Sequence, residues 1–215
     1  MKGGIIMKKS RRLLIMLLAV VLTFSLTIQP VFGATTVGVV SDLYANEQSE
    51  MVYIDGDSYT YNYYYENGSR AIDIINNQSG HIDKIVYNQA ENIIYLNEDQ
   101  LAVIDNTAST LDLGFTDGWE SLQTSSHYIS WGEATTKAVI AGMIAIYLGS
   151  LGTKGVIAAM GVGALGVIAA NSSGGTVRTE LQWYHSLFYT QYRYVWSFEA
   201  STGDVYGPYI SYVSF

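Results

Sequence analysis

The sequence predicts an α+β protein made of an antiparallel β-meander, a Gly-rich apolar helical hairpin and a C-terminal β-hairpin. Residues 51–104 alternate between apolar and polar side chains, and Asp55-Gly56 and Asn67-Gly68 lie where tight β-turns are expected. Residues 138–170 are almost wholly apolar and contain seven glycines. Residues 176–215 return to an alternating composition rich in aromatic side chains, which favours strands.

The first 34 residues have the layout of a secretory signal peptide. Four basic residues at 8–12 precede an uncharged apolar run at 13–28, and the small residues Gly33 and Ala34 follow as cleavage positions. The run is shorter than the 17 or more residues that usually span a bilayer, although an uncleaved membrane anchor stays open as the alternative. We therefore expect residues 1–34 to be removed on export, which predicts a secreted or cell-envelope-associated bacterial protein.

Charge and composition limit the partners that the exported chain can have. Five of the 11 basic residues and none of the 19 acidic ones precede residue 35, so the remaining chain has a formal charge of −13. A charge of this sign opposes binding to a phosphate backbone, and we expect no nucleic-acid partner. The chain has no cysteine, which excludes disulfides, thiol catalysis and a lipoprotein attachment site.

Residues 35–133 are expected to form an acidic β-rich region that ends in a connector. The meander runs from about Met51 to Ile104, and the connector, rich in Ser, Thr, Asp and Gly, follows from Asp105. Side chains alternate across a strand, so one face of the second strand carries a row of tyrosines. This row is Tyr59, Tyr61, Tyr63 and Tyr65.

Residues 134–175 are predicted to form the Gly-rich hairpin, with helices at 138–151 and 155–170 joined by the segment GSLGTKG. A helix that is apolar all round must be enclosed by a core or by lipid. Small residues recur at spacing four on both helices, which allows close approach of helix backbones. The predicted membrane or packing residues are Ala141, Ala145, Gly149, Gly155, Ala159, Gly163 and, as the only charge between the helices, Lys154.

Helix length leaves the surroundings of this hairpin open. At 1.5 Å per residue the two helices are about 21 and 24 Å long, whereas the hydrocarbon core of a bilayer is about 30 Å thick. Insertion would require local thinning of the bilayer, and burial would require a small domain to enclose two helices without a polar face. Membrane lipid is therefore one expected partner, and self-association through the hairpin is another.

No motif in the sequence predicts catalysis, a cofactor or a metal. The three histidines, 81, 127 and 185, lie far apart and in no metal-ligand spacing. Gly161, Gly163 and Gly166 spell a dinucleotide-binding pattern, but they lie inside an apolar helix without a preceding strand. We expect a protein that is not an enzyme.

Aromatic side chains in the C-terminal region, residues 176–215, have three interpretations. Tyr192, Tyr194, Trp196 and Phe198 share one strand face, and they suit the core of a sheet. Exposed, they would suit stacking on sugars. Aromatic residues that flank the hairpin, among them Phe188, would suit a membrane interface.

In its organisation, with residues 8–34 as signal and 137–175 as hairpin, the chain resembles exported bacteriocin-like toxin precursors of Gram-positive bacteria. These include the sporulation-delaying toxin type, in which a soluble region precedes a Gly/Ala-rich hydrophobic hairpin that is the toxic part. The resemblance implies that the hairpin inserts into or perturbs a membrane, while the acidic β region keeps it soluble. The chain departs from the sporulation-delaying type because it lacks a cysteine pair, and the β-rich tail after Gly175 has no counterpart there.

The alternative is a secreted cell-envelope binding or structural module. In that case the hairpin is buried in the protein core or in an oligomer interface.

Overall fold

A computed structural model describes residues 42–103, 118–132 and 135–213 of the chain. The predicted signal peptide, residues 35–41 and part of the connector lie outside these residues. The described residues form two antiparallel sheets and two helices. The α+β class and the antiparallel meander are confirmed.

The meander is a six-stranded sheet in which each strand pairs with the next one along the chain. Both predicted turns have the backbone that a two-residue hairpin turn requires, with positive φ at Asp55 and Gly56 and at Asn67 and Gly68. The strands are β1 (Ser49–Ile54), β2 (Asp57–Glu66), β3 (Ser69–Asn76), β4 (Ile82–Asn88), β5 (Ile93–Leu96) and β6 (Asp99–Val103).

The second sheet has four strands in the order β10-β9-β8-β7. These are β7 (Glu120–Ser130), β8 (Gly174–His185), β9 (Thr190–Ala200) and β10 (Val205–Val213). Strand β7 lies where the sequence predicted a connector. Its composition, ESLQTSSHYIS, is polar enough to resemble a loop. It is a strand because it pairs with β8 along its length, and such pairing outweighs weak strand propensity.

The two helices are α1 (Lys137–Leu148) and α2 (Gly152–Asn171). The Thr136 side chain accepts a hydrogen bond from the backbone N–H of Val139 at 3.3 Å and caps the start of α1. The second helix differs from the continuous one that the sequence predicted, because Gly161 has φ 79° and ψ 149° and kinks it. Only glycine adopts this backbone readily.

A single hydrophobic cluster contains residues of both sheets and both helices. Every residue of α1 from Ala138 to Ile146 is buried, and this helix packs on β3, β4 and α2. Protein therefore encloses the first apolar helix. The second helix contacts β1 and β10 and leaves an apolar outer face exposed, which includes Ala158, Gly163 and Val167.

Candidate functional site

The small residues predicted on the first helix lie inside the fold or at its edge. Ala141 and Ala145 are fully buried. Gly149 ends α1 with φ 75°, and a side chain there would collide with the guanidinium group of Arg70. Arg70 Nη1 donates a hydrogen bond to the Ile146 carbonyl at 3.3 Å. A positive charge thus lies at the C-terminal end of α1, where it stabilises the helix dipole.

The start of α2 is held by polar side chains of the meander. The Glu50 carboxylate of β1 accepts a hydrogen bond from the backbone N–H of Lys154 at 3.1 Å. The Tyr63 hydroxyl of β2 donates to Glu50 at 2.8 Å and accepts from the backbone N–H of Thr153 at 2.7 Å. A carboxylate at the N-terminal end of a helix is electrostatically favourable. The Lys154 side chain itself is exposed.

The start of α1 is attached to the meander in the same way. Lys137 forms an ion pair with the Asp55 carboxylate, and its side chain lies next to Gly166 of α2. The buried hydroxyl of Tyr61 donates a hydrogen bond to the Ala138 carbonyl at 3.1 Å. Polar contacts from the six-stranded sheet therefore reach both ends of α1 and the first turn of α2.

The small residues predicted on the second helix are packed to different extents. Gly155 and Ala159 are half-buried, and a Cβ built on Gly155 would lie 2.5 Å from Cγ of Leu151. No heavy atom lies within 4 Å of a Cβ built on the exposed Gly163. The close approach to the sheet occurs at Gly142, where an added Cβ would lie 2.8 Å from Cδ1 of Ile74. The sequence shows this glycine in an apolar helix but does not show which helix face meets the sheet.

A cavity of about 290 Å³ lies between the two sheets, beside the C-terminal end of α1. The six-stranded sheet contributes Arg70 and Tyr87, and α1 contributes Tyr147. The four-stranded sheet contributes residues of all four strands, among them Ser125, His127, Thr179 and Trp196. Sequence reasoning missed this site because its residues come from separate elements and follow no motif. The pairing of β7 with β8 places Ser125 opposite Thr179.

Three residues that line the cavity each have a buried polar atom without a hydrogen-bond partner among the described residues. These atoms are Nε of Arg70, Nδ1 of His127 and Nε1 of Trp196. His127 and Trp196 are more than nine-tenths buried. An unsatisfied buried polar group costs about 1–3 kcal/mol, so several at one site indicate a place for a bound molecule or ordered water.

Hydroxyl groups and the His127 imidazole form part of the polar wall. Ser125 Oγ lies 2.9 Å from the Tyr147 hydroxyl and 2.6 Å from Oγ1 of Thr179. The His127 ring lies 4.5 Å from the Tyr147 ring, between centroids. Burial lowers the pKa of His127, which favours the neutral imidazole. Ser125 thus bonds to hydroxyls rather than to the imidazole, and this arrangement suits binding better than nucleophilic catalysis.

The turn between β8 and β9 exposes large apolar side chains. Leu187 is 95% and Phe188 92% exposed. The turn is nevertheless ordered by hydrogen bonds, because Ser186 Oγ accepts from the backbone N–H groups of Phe188 and Tyr189 at 3.3 and 3.2 Å. This turn therefore presents two apolar side chains to solvent on a defined backbone.

Metal-binding clusters and membrane-spanning helices can both be sought among the described residues. Within residues 42–103, 118–132 and 135–213, no group of three or more His, Asp or Glu side chains is placed to hold a metal ion. Among the described helices, α2 is long and apolar enough to cross a membrane by length and composition, with a mean hydropathy of 1.7. Of that apolar window, 28% is buried inside the protein.

No protein-family model, curated protein or solved structure matches this chain. The geometry of the helices and the cavity is therefore the basis for proposing a function.

Proposed function

We propose that this chain is an exported, non-enzymatic binding module of the bacterial cell envelope. In this proposal α1 and α2 form a Gly-rich helical hairpin that belongs to the folded core. The burial of α1 from Ala138 to Ile146 carries the proposal. Releasing this helix into lipid would expose the centre of the hydrophobic cluster and would cost the stability of the fold, typically 5–15 kcal/mol.

The contacts at the helix ends support the same proposal. Arg70, Glu50 and Tyr63 of the meander bond to backbone groups at the end of α1 and the start of α2. Insertion of the hairpin would break these bonds, and a bilayer core offers no polar replacement for them. The cavity, with its unpartnered polar atoms, is the binding site in this proposal.

Export rests on the signal peptide predicted at residues 1–34. Mass spectrometry of the secreted protein should show that the first 33 or 34 residues have been removed. A secreted protein that keeps them, or a chain that stays attached to the membrane through them, would overturn the predicted localisation.

Dye release from phospholipid vesicles tests whether the hairpin acts on membranes. In the binding-module proposal the purified protein releases no dye, and Ala158→Asp on the exposed face of α2 changes neither release nor folding. Release by the wild-type protein that Ala158→Asp abolishes would contradict the proposal.

A second function, membrane perturbation of the bacteriocin-like kind, is favoured by the exposed apolar face of α2 and by the β8–β9 turn. Leu187 and Phe188 can enter a lipid interface without any unfolding, whereas α1 cannot. If this function operates, Phe188→Ser weakens vesicle binding, and Val205→Ser, which alters another exposed apolar side chain, does not. Equal binding by both variants would exclude the turn as the contact. The exposed small residues of α2 would then allow two copies of the chain to pack together, and analytical ultracentrifugation would measure this self-association.

A further inference from the structure

We infer that the cavity between the two sheets binds a small hydroxylated carboxylate of the size of a single sugar acid. This inference rests on the proposed binding function and names the chemical class of the ligand. It is carried by three features of the cavity: its charge, its unpartnered polar atoms and its linked hydroxyl groups.

The charge of the cavity favours an anion. Among the residues that line it, Arg70 is the one charged side chain apart from the titratable His127, and none is acidic. Arg70 has no ion pair with a carboxylate among the described residues. Its Nη1 is bound to the Ile146 carbonyl, but its Nε is buried without a partner. A carboxylate that accepts from Nε would form a charge-assisted hydrogen bond with a cation that is already held in place.

The unpartnered atoms add donors around this charge. Trp196 Nε1 is a donor only, and His127 Nδ1 is a donor in one tautomer of the neutral ring. Both side chains belong to the four-stranded sheet, whereas Arg70 belongs to the six-stranded sheet. A ligand with oxygen acceptors on two sides would satisfy donors from both sheets at once.

The remaining walls suit a hydroxylated ligand rather than a purely apolar one. The linked hydroxyls of Ser125, Tyr147 and Thr179 can each donate or accept one further hydrogen bond. The volume of about 290 Å³ lies at the lower end of the range for small-molecule sites.

Titration calorimetry of the purified full chain with glucuronate, glucose and acetate tests the inference. Glucuronate should bind one to one with a dissociation constant below about 1 mM, and glucose and acetate should each bind at least about tenfold more weakly. Glucose lacks the carboxylate and acetate lacks the hydroxyls, so the pair separates the two requirements.

Three variants and one control locate the site. Arg70→Gln should lose about tenfold or more in affinity for glucuronate. The control, Lys84→Gln, removes a half-buried charge of β4 that pairs with Glu66 outside the cavity, and it should bind as the wild type does. Arg70 also holds the end of α1. Arg70→Lys therefore keeps the positive charge and removes the Nε donor, so it tests whether that donor is needed for binding. Trp196→Phe removes the indole donor and keeps a ring, and it should weaken glucuronate binding severalfold.

The inference is overturned if glucuronate gives no saturable heat, or if glucose binds equally well. It is also overturned if folded Arg70→Lys and Trp196→Phe bind glucuronate as tightly as the wild type. Such a result leaves the vesicle experiment unaffected, so a wrong ligand class and a wrong general function are distinguishable.

Discussion

Three tyrosines are almost completely buried: Tyr44, Tyr61 and Tyr63. Tyr61 and Tyr63 lie in β2, and Tyr44 lies in the chain before β1. Burial raises the pKa of each above the ordinary value of 10.0. Below pH 10 these groups are protonated in both the folded and the unfolded chain, and their contribution to stability is complete. Above pH 10 the unfolded chain loses the protons first, so the free energy of unfolding falls as the pH rises.

Urea unfolding between pH 9 and pH 11.5 measures this effect. We expect the free energy of unfolding to be nearly constant up to about pH 10 and then to fall, with each of these three tyrosines contributing up to about 1.4 kcal/mol per pH unit. Burial also raises the pKa of other tyrosines, among them Tyr147 and Tyr209, and these add to the slope. Tyr61→Phe should reduce the slope by about 1.4 kcal/mol per pH unit. A free energy of unfolding that does not change with pH over this range would mean that these hydroxyls are not buried.

Glycine substitutions separate close packing from exposure in the two helices. Gly142→Leu forces a side chain into Ile74 and Ile85, and overpacking of this kind costs about 1–3 kcal/mol or more. Gly163→Leu is its matched control, because an added Cβ there meets no atom within 4 Å and leucine is the better helix former. Thermal unfolding should show a lower Tm for the first variant and an unchanged or higher one for the second. A lower Tm for Gly163→Leu than for Gly142→Leu would instead show that Gly163 lies in the close-packed contact that the sequence predicted.

At the scale of the elements, the N-terminal end of α2 depends on one carboxylate. Glu50→Gln keeps the size of the side chain but removes the charge that accepts hydrogen bonds from the backbone N–H of Lys154 and from the Tyr63 hydroxyl. Loss of such a favourable end interaction costs about 0.5–2 kcal/mol. Glu91→Gln, an exposed acid between β4 and β5, is the control. Equal midpoints of urea unfolding for both variants would show that Glu50 does not hold the helix.

The meander was predictable because its signals are local. Asp55-Gly56 and Asn67-Gly68 set the turns, and the alternation at period two sets the faces. Strand β7 was not predictable, because its partner β8 lies beyond both helices and its own composition is polar. The kink at Gly161 was not predictable either, since glycine in a helix allows such a backbone without requiring it.

The site was less accessible to sequence reasoning than the fold. Because α1 is apolar on all sides, the sequence indicated that the helix is completely enclosed. Both a protein core and a lipid bilayer can enclose such a helix, so the sequence did not distinguish them. Contacts made by Arg70 and Glu50 favour the core that we propose, and both residues lie about 75 or more positions away from their helix partners. Residues of seven helices and strands line the cavity, and no spacing of residues in the sequence predicts such a site.

At the scale of the whole molecule, the proposed binding function requires α1 to stay in the core when the protein contacts a membrane. The chain has no cysteine, so a single introduced thiol reports on one position alone. Ala141→Cys places it in the buried face of α1, and Ala158→Cys places it on the exposed face of α2. Thiol labelling requires access of the reagent, which the core permits only by unfolding.

The deciding measurement is the labelling rate of Ala141→Cys by a water-soluble maleimide and by a maleimide dissolved in phospholipid vesicles. We predict that this thiol reacts at least about 1,000-fold more slowly than that of Ala158→Cys with the water-soluble reagent, since its exposure requires unfolding. We also predict that vesicles leave it protected from the lipid-dissolved reagent. Rapid modification of Ala141→Cys by the lipid-dissolved maleimide would show that α1 enters the bilayer and would contradict the account.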